Sequence, residues 1–183
     1  MKAIVAMDLK RVIGNKGQIP WRIPDDMDWF LSDMRWFKKL TMGMPYQEAL
    51  KNPESNKVFL QPLAGYLVMG NSTFKEVGPL PHRFTFVLTN NVEKLRLPFT
   101  HKYGYVTGNF LKEKIFPTPW NNIWVCGGAK TYESLLPDCD EIFVTLVLDE
   151  YEGDCFMCPF EHIFPNSEIL KENKNYWILR YWK

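Results

Sequence analysis

Ile123-Trp124-Val125-Cys126-Gly127-Gly128-Ala129-Lys130-Thr131-Tyr132 is the stretch that decides the fold. Four apolar residues read as a buried strand, two glycines follow at once, and a helical pattern runs from Ala129 to Leu136 and stops at Pro137. A strand that turns through glycines into a helix is the joint of an α/β protein. The bare glycine backbone admits a close neighbour, and the free N–H groups that open the helix suit an anionic group, with Lys130 adding charge. The segment is neither G-x-G-x-x-G nor G-x-x-x-x-G-K-[ST], so a tight structural turn and a phosphate site both stand as readings.

Outward from this joint the same alternation recurs. Ala3–Met7 is a continuous apolar run and reads as a buried first strand. Residues 9–24 carry Gly14, Gly17, Pro20 and Pro24 and read as a long loop of the kind that closes over sites. From Asp25 to Leu40, Met27, Phe30, Met34, Phe37 and Leu40 keep the spacing of one helix face, with Asp25, Asp26 and Asp28 at its positive end and Lys38 and Lys39 at the other. Residues 42–65 read as an insertion. Tyr66–Met69 and Phe84–Leu88 read as strands, the first leading through Gly70 to a helical turn from Ser72. Residues 90–121 give no pattern, broken by Gly104, Gly108, Pro117 and Pro119. Glu141–Leu148 is the strongest strand, and Tyr176–Trp182 alternates as an edge or antiparallel strand. The expected fold is α/β in a single domain over 1–183: a mixed, mostly parallel central sheet flanked by helices, closed by an antiparallel C-terminal strand.

Composition narrows the function. Of 183 residues 46% are hydrophobic and 23% charged, which excludes a disordered chain. Lys plus Arg is 22 against 21 for Asp plus Glu, a net charge of +1, so no nucleic-acid or anionic-membrane partner is expected. The opening residues hold five apolar positions before Asp8, too few for a signal peptide, and no apolar run approaches a membrane span. Four cysteines (126, 139, 155, 158) are then expected as reduced thiols in the cytoplasm. Cys155-x-x-Cys158 with His162 offers three zinc-type ligands but no second cysteine pair, so no metal is expected. His82, His101 and His162 are scattered and read as surface residues. An aromatic share of 15%, with seven Trp, suits core filling and also a pocket for a flat ligand. Asp33 lies beyond the helix's first turn, beside the apolar stripe. It is either a solvated edge residue or the partner of a cationic or amidine-like ligand.

Several of these segments, taken in order, resemble the dihydrofolate reductase family. Val12-Ile13-Gly14 with Ile19-Pro20-Trp21 resembles its mobile loop, and Asp33-Met34-Arg35-Trp36-Phe37-Lys38-Lys39-Leu40-Thr41 its acid-bearing helix. Val68-Met69-Gly70-Asn71-Ser72-Thr73-Phe74, Pro79-Leu80-Pro81-His82-Arg83, the Gly127-Gly128 turn, and Thr145 with Glu152-Gly153-Asp154 match further signatures. The resemblance fades in 42–65, 90–121 and after about 160. It implies NADPH as cofactor and reduction of 7,8-dihydrofolate to 5,6,7,8-tetrahydrofolate, by hydride transfer to C6 and protonation at N5. It also implies a cytoplasmic monomer that binds dihydrofolate and antifolate-like molecules.

By resemblance Asp33, Thr145 and Tyr132 are the catalytic group, Asp33 holding the pterin and Thr145 bonding to that site. Ile4, Val5, Ala6, Met34, Phe37, Val77, Leu80 and Cys126 would line the substrate, and Arg83 would pair with its glutamate tail. Ala6, Ile13, Gly14, Gln18, Ser72, Thr73, Leu88, Thr89, Asn90, Gly127, Gly128, Ala129, Lys130 and Thr131 would meet the cofactor. Two acid-plus-aromatic patterns compete for the acid. Counting from Trp21 points to Asp26; counting back from Lys38-Lys39-Leu40-Thr41 points to Asp33, which is expected because helix spacing is rigid and a loop absorbs extra residues. Asn71 stands where many family members place a basic residue against the 2′-phosphate, so preference for NADPH is expected to be reduced. A related reductase of a riboflavin- or pterin-pathway intermediate is the alternative, and it would not need Arg83. A non-catalytic structural module predicts losses at Asp33, Gly127 or Thr145, and none is seen.

Overall fold

The computed structural model describes residues 1–21, 36–43, 65–117 and 122–183. The expected helix start (including Asp25, Asp26, Asp28, Asp33 and Met34) and nearly all of the 42–65 insertion lie outside the described residues.

Alternation along the first strand sets the layers. In β1 (Lys2–Asp8), Ala3, Val5 and Met7 enter one core while Ile4 and Ala6 face the other. A strand buried on both faces must be central. β1 pairs in parallel with β6 (Ile123–Val125) on one side and β7 (Glu141–Val147) on the other. Beyond β6 come β3 (Gly65–Gly70), β4 (Arg83–Leu88) and β5 (Tyr103–Val106), also parallel. Beyond β7 lie β10 (Tyr176–Trp182) and then β9 (Asn166–Glu172), both antiparallel to their neighbours. The eight-stranded order is β5-β4-β3-β6-β1-β7-β10-β9. This is the expected mixed, mostly parallel sheet.

Residues 36–41 are helical and form the described end of α1, with Trp36 and Leu40 buried in the second core beside Trp124 and Phe143. α2 (Asn71–Val77) follows β3 directly, and α3 (Val92–Leu95) bridges β4 to β5. Gly108–Phe110 runs into a π-helical turn at Leu111–Ile115, together α4. α5 (Ala129–Leu135) ends one residue earlier than the pattern suggests, and Pro137 sits inside a following 3-10 turn, Leu136–Asp138, where its missing N–H costs nothing.

Two readings are corrected and one is narrowed. The expected loop 9–24 contains a strand, β2 (Val12–Gly14), which pairs with β8 (Cys155–Phe156) and so is ordered by a partner some 140 residues away. The patternless stretch 90–121 contains α3, β5 and α4. Of the two readings of Tyr176–Trp182, edge or antiparallel, the structure shows the antiparallel one: the strand is internal, and the edge beside it is β9, whose exposed, charged face is normal for an edge.

Candidate active site

β6 stops at Val125, level with Ala3 of β1 and Val68 of β3, and the parts of β1 and β3 beyond that level, with the residues that follow β6, form the floor of a cleft of about 450 Å3. Open α/β sheets take ligands at this place, outside the carboxyl ends of their strands. Ile4, Val5 and Ala6 of β1, Met69 of β3, and Cys126, Gly127 and Gly128 past β6 make the floor. Ser72, Thr73, Glu76 and Val77 of α2, with Leu80, make one wall, and Phe37 of α1 and Tyr132 of α5 stand at the sides. Ile13, Gly14, Gly17, Gln18, Ile19 and Trp21 form the cover, joined by Asp154 and Cys155.

The floor is fixed through backbone. Gly70 N donates to Gly127 O at 2.7 Å and Cys126 N to Val68 O at 2.9 Å. Gly127 has φ +97, a conformation that side chains resist, and a Cβ there would meet Tyr132 Cε2 at 2.9 Å. A Cβ on Gly70 would lie 2.8 Å from Thr131 Oγ1, so this residue is small because two chain segments touch. Tyr132 is buried and its hydroxyl donates to Ile4 O at 2.6 Å. Burial first, with the cysteines around it, holds its ionisation well above the usual phenol range. Tyr132 is therefore a neutral strut between α5 and β1, its proton already committed. Burial likewise pushes the Cys126 thiol up, against the opposing pull of Arg83, so Cys126 is an inert, apolar part of the floor.

Arg83 is almost fully buried, at 5% exposure. Its Nη1 donates to Thr41 Oγ1 at 2.9 Å, its Nε to Pro81 O at 3.1 Å, and the guanidinium lies 5.8 Å from the Phe37 ring centroid. Among the described residues no carboxylate pairs with it. Burial lowers its pKa, yet a guanidinium stays charged.

The cover is held at its two ends. Asp8 is fully buried. Its Oδ1 accepts from Lys10 N at 2.9 Å and Val12 N at 2.7 Å, and its Oδ2 from Tyr151 N at 2.8 Å. Asp154 accepts from Lys16 N at 3.1 and 3.2 Å, while its own N–H donates to Gly14 O at 3.1 Å. Trp21 packs edge-on against Tyr151 at 6.0 Å.

Of the residues expected in the site, Ile4, Val5, Ala6, Ile13, Gly14, Gln18, Phe37, Ser72, Thr73, Val77, Leu80, Cys126, Gly127, Gly128 and Tyr132 come together in the cleft. Thr145 does not line it, but it is buried in β7 in register with Ala6, one strand in from the floor. Leu88, Thr89, Asn90, Ala129, Lys130 and Thr131 stand outside the lining, at the carboxyl end of β4 and in the first turn of α5, and Arg83 also stands outside it, at the start of β4 and beside the lining residue Phe37. The sequence reading gave no lining role to Met69, Glu76, Asp154 or Cys155, while Gly17 falls in the loop it expected to close over the site. Met69, Asp154 and Cys155 each lay in or beside a quoted motif, and Glu76 lay in none. Cys155, Cys158 and His162 do not gather: among the described residues no group of three or more His, Cys, Asp or Glu could hold a metal ion.

An apolar cleft floored in part by bare glycine backbone, beyond the carboxyl end of a central strand, marks an α/β protein with its ligand site at the place where open sheets of this class bind ligands. Comparison with known proteins narrows that class. The Dihydrofolate reductase family profile matches residues 1–176. The Haemophilus influenzae dihydrofolate reductase is 28% identical over 154 residues, covering 84% of this chain and 75% of that one. A Staphylococcus aureus dihydrofolate reductase is 28% identical over 165 residues, covering 87% and 79%. The structure of dihydrofolate reductase from Enterococcus faecalis, complexed with NADP(H) and RAB-propyl, superposes with a TM-score of 0.60 at 24% identity. That match covers 99% of this chain and 94% of the other. The chain belongs to the dihydrofolate reductase family, NADPH-dependent oxidoreductases of folate metabolism. Among the described residues no helix is long and apolar enough to cross a membrane.

Proposed function

We propose that this chain reduces 7,8-dihydrofolate to 5,6,7,8-tetrahydrofolate with NADPH, as a single-domain cytoplasmic monomer. The observation that carries the substrate is Arg83, a buried cation with no acid partner among the described residues, set against the ring of the cleft residue Phe37. An aromatic bicycle lying in the cleft with a carboxylate tail turned towards Arg83 satisfies both features. A substrate without such a tail brings no carboxylate to Arg83, which has none among the described residues, and this disfavours the riboflavin-pathway alternative. Antifolate-like molecules of the same shape fit the same cleft. The four free thiols support the cytoplasmic assignment.

The cofactor fits the other half. Gly127 and Gly128 present backbone without side chains, and Ser72 and Thr73 supply neutral hydroxyl groups, a donor set suited to a carboxamide and a pyrophosphate. NADPH, when bound, supplies the hydride for C6. The chain's own part is placement. The floor would seat the reacting rings, Phe37, Leu80 and Val77 would pack against the substrate's ring, and the cover from Ile13 to Trp21 would exclude water. Asp33, which lies outside the described residues, is proposed as the carboxylate that binds the substrate's 2-amino group and N3 and raises the basicity of N5. Thr145 is proposed to hydrogen-bond at that site.

The test is NADPH oxidation with dihydrofolate by wild type, Asp33→Asn and Asp26→Asn. The expected result is turnover by wild type and Asp26→Asn and a loss of about 100-fold or more in Asp33→Asn. A dead Asp26→Asn beside a normal Asp33→Asn moves the acid to Asp26. An inert wild type removes the substrate. Arg83→Leu should raise KM for dihydrofolate and leave KM for a pterin lacking the tail unchanged.

A further inference from the structure

The base of the cover carries a side chain that the reading above leaves unused. Arg11 stands immediately before β2, outside the cleft lining, in a left-handed backbone conformation with φ +66. Its guanidinium spreads over three acceptors of the segment that follows β8. Nε donates to Met157 O at 3.2 Å, Nη2 to Cys158 O at 2.8 Å, and Nη1 to Glu161 Oε1 at 2.7 Å. Nη2 also reaches Glu161 Oε2 at 3.3 Å. That carboxylate is aimed in turn by Phe160 N, which donates to it at 2.9 Å. The Phe160 ring lies 5.0 Å from the guanidinium and is fully buried in the core that receives Val5 and Met7. The main chain adds two bonds: Arg11 O accepts from Met157 N at 2.8 Å, and Arg11 N donates to Asp8 O at 3.0 Å.

These bonds matter because the sheet they flank is so short. β2 has three residues, β8 has two, and their register shifts between Val12 and Gly14. A two-stranded ribbon of that size is marginal by itself, and a slip of one residue exchanges the two faces of a strand. Val12, buried at 1%, would leave the interior, and Ile13 would leave the cleft that it lines. Exposure decides which bonds carry most. Glu161 is half exposed, so water and salt screen its pairing with Arg11. The bonds to the carbonyls of Met157 and Cys158 are partly buried, and their acceptors are fixed by the chain itself. Glu161 therefore aims the fork, and the two carbonyls hold it.

We infer that Arg11 is a positioning residue: its fork onto Met157, Cys158 and Glu161 fixes the register of β2 on β8, keeps Ile13 and Gly14 over the cleft, and so sets how fast a bound cofactor leaves. The inference rests on the NADPH reading above and adds the residue that holds the cover shut. A ligand beneath a cover departs only when the cover moves, so loosening the fork speeds release. Lysine is no substitute, because one ammonium does not reach two carbonyls and a carboxylate as a planar guanidinium does. The turn at φ +66 by itself suits asparagine better than arginine. Replacing Arg11 by asparagine therefore removes the fork without straining the turn.

The test is the rate at which bound NADPH dissociates, followed as loss of energy transfer from tryptophan when excess NADP+ displaces it. Wild type, Arg11→Asn, Arg11→Lys, Glu161→Ala and Lys10→Gln are compared, all well below their thermal unfolding midpoints, where a residue that only stabilises the fold leaves release unchanged. Release is expected to quicken about tenfold in Arg11→Asn, about fivefold in Arg11→Lys and about threefold in Glu161→Ala. In the Arg11→Asn background Glu161→Ala should add nothing, because the fork that it aims is gone. Lys10→Gln breaks the neighbouring exposed pair with Glu150, at 2.9 Å, and should release NADPH at the wild-type rate. Release within about twofold of wild type in Arg11→Asn and Arg11→Lys overturns the inference, and so does a Lys10→Gln as fast as Arg11→Asn. If Arg11→Asn does not fold, Arg11→Lys and Glu161→Ala decide by the same criterion. These readouts do not involve dihydrofolate. An inert wild type whose Arg11 variants release NADPH faster loses the substrate and keeps this role for Arg11; normal turnover with unchanged release does the reverse. A wild type that binds no NADPH removes both.

Discussion

Two buried carboxylates sit at opposite ends of the same central strands and are satisfied in opposite ways. At the site end of β1, Asp8 receives three backbone N–H groups and no cation among the described residues. At the far end, Glu141 of β7 is held by side chains: Lys2 Nζ at 2.9 Å and Arg180 Nε at 2.6 Å. Backbone donors belong to loops, so Asp8 dictates the path of the chain on both sides, entering the cover at Lys10–Val12 and the opposing loop at Tyr151. Cationic side chains belong to strands already paired in the sheet, so Glu141 only staples β1, β7 and β10 together. The difference marks which end of the sheet is shaped for chemistry and which is merely closed.

Substitutions can break or sharpen this contrast. The largest effect is expected at Asp8→Ala, which strands three N–H groups in the interior. It should cost about 3 kcal/mol in denaturant unfolding and release the cover, lowering turnover as well. Asp8→Asn should recover only part of this, because one face of the amide opposes a donor with a donor. Next is Glu141→Gln, expected to cost about 2 kcal/mol at neutral pH with turnover unchanged. If it proves as damaging to activity as Asp8→Ala, the contrast fails.

The two sites also differ in pH response. Burial by itself would raise the Glu141 carboxyl, but the hydrogen bonds and charges of Lys2 and Arg180 outweigh it and hold it below the usual range. A depressed carboxylate contributes stability that is present above its unfolded pKa and is lost as pH falls through the lower folded value. Unfolding measured from neutral pH downward should therefore show wild type and Glu141→Gln converging in acid. High salt should narrow the same gap and leave that of Asp8→Ala nearly intact. The smallest effect is expected at Asp154→Ala. Asp154 also accepts a backbone N–H, from Lys16, but it is exposed. Global stability should shift by less than about 0.5 kcal/mol, with faster hydrogen exchange at the Lys16 amide as the readout. A large global loss would mean that backbone donation, rather than burial, decides the energy.

The legible parts of the sequence were those whose signal is local. β1, β4, β6, β7 and the Gly127-Gly128 joint each show within ten residues the run or punctuation that makes them, and the floor of the cleft follows from where those strands stop. β2 was not legible because three residues form a strand only when β8 supplies the partner. β5 was hidden because its Gly104 breaks the pattern of a strand, yet the ring of Phe99 occupies the space a side chain there would need. Glu76 reaches the cleft through the pitch of α2 rather than through any motif.

Arg11 is the instructive case. Read along the chain it is one polar residue at the start of an expected loop. Only the return of the chain through β8 brings Met157, Cys158 and Glu161 within reach of its guanidinium. The sequence by itself determined the central strands β1, β3, β4, β6 and β7, the joint into α5, the family resemblance and most of the cleft floor, because hydrophobic period and glycine punctuation act over neighbouring residues. Tertiary structure alone decided which charges meet which neutral partners, how Asp8 and Asp154 hold the cover, and that Tyr132 braces β1 by donating its hydroxyl proton to Ile4 O. Those outcomes depend on distances between segments 20 to 150 residues apart, which no local pattern encodes.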